Sequence, residues 1–277
     1  MTDQPVYSVE SEDPELQRAV AAARSTFKFF YRELSWEYRR IIPALDMAAV
    51  KVAFPVELAG PDEPSVENMW VSNIEFDGQT LRGVLLNEPH WVHSLQAGDP
   101  VSVPFTDLVD WMYVCAGQVY GGFTVDVMRS GMDDPARAEH DAAWGLAFGE
   151  PGFVVLAMPE ADGAPLRLAR HLEGVAERAA LADLERCEHP MAVNTQADID
   201  AGLAQDPSLV NQYDDTESSY LHREALAGNH GFAAALLRHG ADPLATDSNG
   251  RTPLQLAQRI GWPRIVELLE GRGARLH

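Results

Sequence analysis

The sequence predicts an α+β chain: an N-terminal helix with an antiparallel sheet or small barrel, followed by an all-α stack of repeats. Three observations predict it. Apolar residues recur every three or four positions after Pro14. Between Met47 and Met128 they alternate in short runs broken by turn signals. Beyond Leu221 the chain repeats itself at a spacing of 33 residues, which marks stacked supersecondary units.

Residues 1–14 read as a solvated acidic tail. Asp13 then precedes Pro14 as a cap precedes the first helical position, and Leu16, Val20, Ala23, Phe27, Phe30, Tyr31 and Leu34 form one apolar stripe. The aromatic members of that stripe read as core. MAAVKVAFPVEL (47–58) reads as a strand, and Pro61 to Pro64 as an acidic loop. Five closely spaced strands follow. ENMWVSNIEF (67–76) alternates with one register slip, with Met69, Val71, Ile74 and Phe76 inward; Asp77-Gly78 turns the chain and TLRGVLLNE (80–88) returns. LQAGDPVSVPF (95–105) offers a short strand. LVDWMYVCAG (108–117) and QVYGGFTVDVM (118–128) read as a second hairpin. Further on, Pro135–Trp144 reads as a helix stopped by Gly145, FVVLAMPE (153–160) as a strand, and residues 165–187 as a helix bridging into the repeats. His189-Pro190 marks the boundary.

Leu221 recurs as Leu254, Gly228 as Gly261, Leu236 as Leu269 and Gly240 as Gly273. A turn followed by two short helices at this period is the signature of ankyrin repeats. Asn249-Gly250 supplies the positive-φ turn at the hairpin tip, Thr252 caps the first helix and Pro253 opens it. In the preceding unit Ser219 stands for Thr252, Tyr220 replaces the proline, and Glu217 and Ser218 stand where Asn249 and Gly250 do. LAQDPSLVN (203–211) resembles the end of an N-terminal half-unit. About two and a half units are expected, with the helix at 165–187 supplying the missing cap. The expected division is therefore tail 1–14, α+β domain 15–150, connection 151–190 and repeats 191–277.

Composition narrows the function. With 42 acidic against 21 basic residues the net charge is -21, a field that repels phosphate backbones and disfavours nucleic acid. The same field draws in a basic partner. No apolar run approaches the ~20 residues of a membrane helix, and MTDQPVYSVESEDPEL lacks the basic and apolar blocks of a secretory signal, so a cytoplasmic protein is expected. Cys115 and Cys187 have no zinc or redox spacing.

The stretch NMWVSNIEFDGQTLRGVLLNEPHWVHSLQAGDPVSVPFTDLVDWMYVCAGQVYGGFTV places a Trp-containing strand before an Asp-Gly turn. An LNEP segment, a Gly-Asp strand start, Asp-Trp-Met-Tyr and a Tyr-Gly-Gly turn follow. This order resembles the YegJ-like bacterial domain family over about residues 15–150. The resemblance implies an α+β fold and no catalytic residues. Joined to ankyrin repeats, it looks like proteins encoded beside bacterial toxins, where ankyrin proteins serve as immunity factors.

The leading expectation is thus an interaction protein that binds and blocks a basic toxin domain, with no cofactor and no metal. Its expected contact residues are Asp214, Asp215 and Glu217 at one repeat tip, Asp247, Ser248 and Asn249 at the next, and the acidic stretch Asp133, Asp134, Glu139 and Asp141. The alternative is a ligand-binding or enzymatic first domain, with the repeats as a targeting module. Glu88, His90 and His93 have a spacing that could ligate metal, and Asp107, Asp110 and Trp111 could rim an acidic pocket. A pocket gathering Glu88, His90, His93 and Asp110 would favour chemistry, and scattered exposed positions would favour interaction.

Overall fold

The computed structural model describes residues 13–57, 64–157, 164–214 and 217–273. Helix α1 (Pro14–Glu37) begins as its sequence demands: the Asp13 carboxylate accepts from Glu15 N and proline fills the first turn. Strands β1 (Met47–Pro55), β2 (Val66–Phe76), β3 (Thr80–Leu85), β4 (Pro100–Pro104), β5 (Leu108–Cys115) and β6 (Gln118–Gly121) form one sheet in the order β4-β3-β2-β1-β5-β6. Every neighbouring pair is antiparallel. With β4 and β6 at its edges the sheet stays open, so the barrel alternative does not arise. The slip in β2 lies between Ser72 and Glu75, where Asn73 takes φ 52°, and it leaves Met69, Val71, Ile74 and Phe76 all buried.

The second hairpin is shorter than its pattern. The strand stops at Gly121, and Phe123–Ser130 is helix α2 rather than a continuation. Gly121 and Gly122 both take left-handed φ (76° and 73°), and a Cβ on Gly121 would overlap the Trp111 indole. The buried Asp110 carboxylate then accepts from Phe123 N (3.0 Å), Thr124 N (2.7 Å) and Thr124 Oγ1 (2.7 Å), which starts the helix despite its β-branched residues. Helix α3 (Asp134–Trp144) is capped by Asp133 and ended by left-handed Gly145. Residues 165–187 are not one helix: β7 (Phe153–Ala157) pairs with β8 (Leu166–Ala169), and only Val175–Arg186 is helical, as α4.

The C-terminal part is all helical. Helix α5 (Pro190–Gln205) and a 3-10 turn (Pro207–Asn211) precede two helix pairs, α6 (Tyr220–Ala227) with α7 (His230–Arg238) and α8 (Pro253–Ile260) with α9 (Pro263–Glu270). Ser219 and Thr252 each make a capping box, with His222 and Gln255 as partners, and Gly228 and Gly261 end their helices in left-handed φ. Helix α6 packs on α8, while α5, α7 and α9 pack in sequence. The N-terminal cap is therefore α5 itself, and α4 leans on α9 instead.

One apolar core runs through both halves, and α1 is its hinge pin. One stripe of α1 faces the sheet: Phe27 packs edge-on against Phe76, Phe30 lies against Trp111, and Trp111 Nε1 donates to Ala23 O. Another stripe faces the helix pairs, with Phe29 edge-on to Trp262 at 5.7 Å and Trp36 Nε1 donating to Asn229 Oδ1 at 2.8 Å. Two cations of α1, Lys28 and Arg32, are buried there. Lys28 Nζ donates to Gly261 O (2.7 Å) and pairs with Glu185, and Arg32 donates to Cys187 O (2.9 Å). A smaller apolar cluster of Met112, Val114, Val119, Val125 and Phe148 covers the other face of the sheet under α2.

Candidate docking surface at the loop tips

The two tips preceding α6 and α8 are built alike, 33 residues apart. Asp247 N donates to Arg251 O, Gly250 N to Asp247 O, and the Asp247 carboxylate accepts from Asn249 N (2.9 Å), Arg251 N (2.9 Å) and Arg251 Nε (2.8 Å). One unit earlier Asp214 N donates to Ser218 O, Glu217 N to Asp214 O, and the Asp214 carboxylate accepts from Ser218 N (2.9 Å) and from the Arg223 guanidinium (2.6 Å). Glu217 (φ 56°) therefore takes the place of Gly250 (φ 71°), one residue off the correspondence expected from the sequence.

This changes what the tip carboxylates do. Asp247 is 4% exposed and fully engaged in shaping its loop, so it does not offer a charge to a partner. Asp214 is half-buried and ion-paired with Arg223. Ser248, Asn249 and Glu217 are exposed at the tips, and Asp215 lies outside the described residues. An open hollow of about 600 Å³ lies beside the second tip, lined by Asn249, Gly250, Arg251, Gln255, Leu256, Gln258 and Arg259. A smaller one of about 200 Å³ lies beside the first, where Tyr213, Asp214, Tyr220 and Arg223 meet. The face of α6 and α8 that carries Glu224, Leu226 and Leu256 is covered within the chain: Arg39 pairs with Glu224 at 2.5 Å, and the Asp77-Gly78 turn abuts Leu226 and Leu256.

The acidic stretch at α3 is likewise mostly structural. Asp133 caps the helix by accepting from Ala136 N, and Asp134 pairs with Arg137. Asp141 is gripped by Arg129 Nε (2.8 Å) and Nη2 (2.6 Å) and by His140. Burial pushes the Asp141 carboxyl up, but those partners outweigh it and hold it below its ordinary value. Glu139 alone of the four is exposed without such a grip.

The alternative pocket does not assemble. Glu88, His90 and His93 are exposed on the loop between β3 and β4, which Glu67 holds by accepting from His90 N, Trp91 N and Val92 N at 2.7–3.0 Å. Asp110 and Trp111 are both 0% exposed, one capping α2 and the other filling the core. Burial is the largest influence on Asp110 and pushes its carboxyl above the ordinary range, against Lys51 and the Thr124 and Trp111 donors. Asp107 sits on a 3-10 turn outside that cluster. Among the described residues no group of three His, Cys, Asp or Glu side chains is placed to hold a metal ion. No described helix is long and apolar enough to cross a membrane.

Against known proteins, the chain is 42% identical over 272 residues to "Putative ankyrin repeat protein NMB1133/NMB1171" of Neisseria meningitidis serogroup B, covering 98% of this chain and 99% of that protein. The chain belongs to that protein's family. Residues 13–148 match the bacterial family described as "Uncharacterized protein conserved in bacteria (DUF2314)", so helix α1, the six-stranded sheet, α2 and α3 are a DUF2314 domain. YegJ of Escherichia coli K12 is 29% identical over 73 residues, 26% of this chain and 48% of YegJ. The human transient receptor potential cation channel subfamily A member 1 is 40% identical over 68 residues, 24% of this chain and 6% of the channel.

What the sequence hid is the second face of α1. Lys28, Phe29, Arg32 and Trp36 recur at helical spacing. Lys28, Arg32 and Trp36 at i, i+4 and i+8, with Phe29 beside them at i+1, are a signal for a second buried stripe, which the stronger apolar stripe masks.

Proposed function

We propose that this chain is a protein-interaction protein in which the C-terminal helices are ankyrin repeats serving as the docking element. The finer reading is an immunity protein that occludes a basic toxin domain. The observation that carries the docking reading is the recurrence of one loop architecture at Asp214 and Asp247, each followed by a capped helix pair, with the tips left toward solvent. The name of the meningococcal relative points the same way. The net charge of -21 supports a basic partner, because complementary fields speed encounter even where individual carboxylates are engaged.

The contact set that fits is narrower than the acidic list. Ser248, Asn249 and Glu217 present side chains at the tips, with Glu139 as a separate acidic position; Asp214 and Asp247 shape the surface without forming it. The organisation that fits is a DUF2314 domain whose first helix is shared with the repeat stack, so the two parts act as one body. The scatter of Glu88, His90, His93 and Asp110 gives no support to chemistry in the first domain.

The test is capture of partners by the purified chain from a lysate of its own organism at low salt. A stoichiometric basic protein is expected that arrests growth when expressed alone and ceases to do so when co-expressed with this chain. A captured partner that is harmless to the cell would sink the immunity reading while leaving the docking one.

A further inference from the structure

Among the described residues, Ile41 and Ile42 are the most exposed large apolar side chains, at 99% and 81%. They stand together on the turn from α1 to β1, with exposed Tyr38 at its start. The turn is fixed from beneath. Glu37 Oε1 accepts from Ala44 N (3.0 Å) and Leu45 N (3.3 Å), and Arg40 Nη1 donates to Glu37 Oε2 (2.8 Å) and Glu33 Oε1 (3.0 Å). The Tyr38 hydroxyl donates to Ile74 O at 2.5 Å. Two isoleucines held side by side in water by their own scaffold are a preorganised contact, since little ordering is left when a partner covers them.

The base of this turn is joined to the first repeat tip. Arg39 pairs with Glu224 at 2.5 Å and lies over the Phe232 ring at 5.4 Å. Phe232 faces Tyr220 at 6.4 Å, and Tyr220 lines the hollow that Tyr213, Asp214 and Arg223 share at that tip. The turn of the first domain and the tip of the second part therefore border one surface.

The charge left to solvent around the turn is negative. Arg39 is tied to Glu224, and Arg40 to Glu33 and Glu37. Asp46 and Glu75 are exposed, and Arg82, across from Glu75, is taken by Asp77. With no free cation on the turn and a net charge of -21, an anionic lipid surface repels it, and so does a second copy of the chain. A basic protein is attracted by the same field.

We infer that Ile41 and Ile42 are the apolar anchor of a composite interface, seated in an apolar cleft of a basic partner whose cationic rim meets Asp46 and Glu75. The first repeat tip borders the same partner. The inference rests on the docking reading with a basic partner, and gives the first domain a direct share in the contact.

The probe is photo-crosslinking in the protein's own cells, with benzoylphenylalanine in the full chain in place of Ile41, of Tyr213 at the first tip, or of Ser102 on β4. One basic protein is expected from the Ile41 and Tyr213 positions and not from Ser102. Against that purified protein, the double variant Ile41→Ser, Ile42→Ser should bind roughly ten- to a hundredfold more weakly than the native chain, as losing buried branched side chains implies. Both side chains are exposed, so the melting temperature should not move. Should the double variant misfold, Ile41→Ser alone replaces it, with an expected loss of roughly tenfold. A basic protein crosslinked from Tyr213 but not Ile41, or bound equally by the double variant, overturns the inference and leaves the docking reading standing. No protein crosslinked from either position overturns both. A neutral or acidic protein at Ile41, or the same protein at Ser102, overturns the proposed occupant. So does a crosslinked dimer of this chain, or pelleting of the native chain with phosphatidylcholine–phosphatidylglycerol vesicles that the double variant abolishes.

Discussion

Trp36 Nε1 donates to Asn229 Oδ1 at 2.8 Å, and both side chains are buried at the seam between the first helix and the helix pairs. Asn229 in turn donates to Glu224 Oε2 at 2.8 Å, whose other oxygen pairs with Arg39. The indole of Trp36 stacks on His189 at 10° between planes. A helix from the DUF2314 domain thus completes the polar interior of the repeats.

Breaking that bond should unfold both halves together. Asn229→Ala leaves the indole N–H and Glu224 short of a partner, at a cost of about 1–3 kcal/mol. A cycle with Trp36→Phe should show coupling of roughly 0.5–3 kcal/mol. Urea unfolding followed by tryptophan fluorescence and by far-UV circular dichroism should give coincident transitions in every variant. Separate transitions would mean that the two parts fold independently.

Glu33 makes the same seam sensitive to acid. Burial pushes its carboxyl up, but hydrogen bonds and charge from His189 (2.8 Å) and Arg40 (3.0 Å) outweigh it and hold it below its ordinary value of 4.5. A carboxyl depressed in the folded state contributes stability above its unfolded pKa, and that stability is lost as pH falls through the folded value. Glu33→Gln should cost about 1.5–3 kcal/mol near neutral pH, as charged hydrogen bonds do. Unfolding free energies at a series of pH values should show the gap to the native chain closing below 4.5. A gap that stays constant down to the acid limit would remove the ion pair as its cause.

The tips separate charge from architecture. Asp247→Ala strips three donors of their acceptor and should lower stability by about 1–3 kcal/mol, with its loss confined to the second helix pair in hydrogen exchange. Lysine at exposed Ser248 or Asn249 should leave stability within about 0.5 kcal/mol and slow association with a basic partner instead. Stopped-flow association rates at two salt concentrations check this; a stable Asp247→Ala chain with a slowed on-rate would reverse the assignment.

Much of this fold is legible because local signals agree with the tertiary ones. Asp13-Pro14, Asp77-Gly78, Asn249-Gly250 and Thr252-Pro253 each state a cap or a turn that the structure uses. The failures have physical causes. Phe123–Ser130 carries a strand-like alternation of Thr and Val, and only a carboxylate 13 residues upstream, Asp110, makes it a helix. Leu166–Ala169 reads as helix because its charged neighbours do, yet it pairs with β7. Site residues fared worse, since an acidic side chain in a loop looks the same whether it caps the backbone, as Asp247 and Asp133 do, or faces a partner.

Asp110 decides between architecture and chemistry in the first domain. Its carboxylate accepts from Trp111 N, Phe123 N, Thr124 N and Thr124 Oγ1, and Lys51 Nζ donates to that same Thr124 hydroxyl at 2.9 Å. Asp110→Ala leaves these buried donors unpaired together with a half-buried ammonium, so it should cost more than about 3 kcal/mol, as removing one partner of a buried charged set does. Asp110→Asn keeps one acceptor oxygen and should lose less. The order Ala below Asn below native in melting temperature, with the α2 amides the first to exchange, is expected. An Asp110→Ala chain as stable as the native one would free this carboxylate from its capping role.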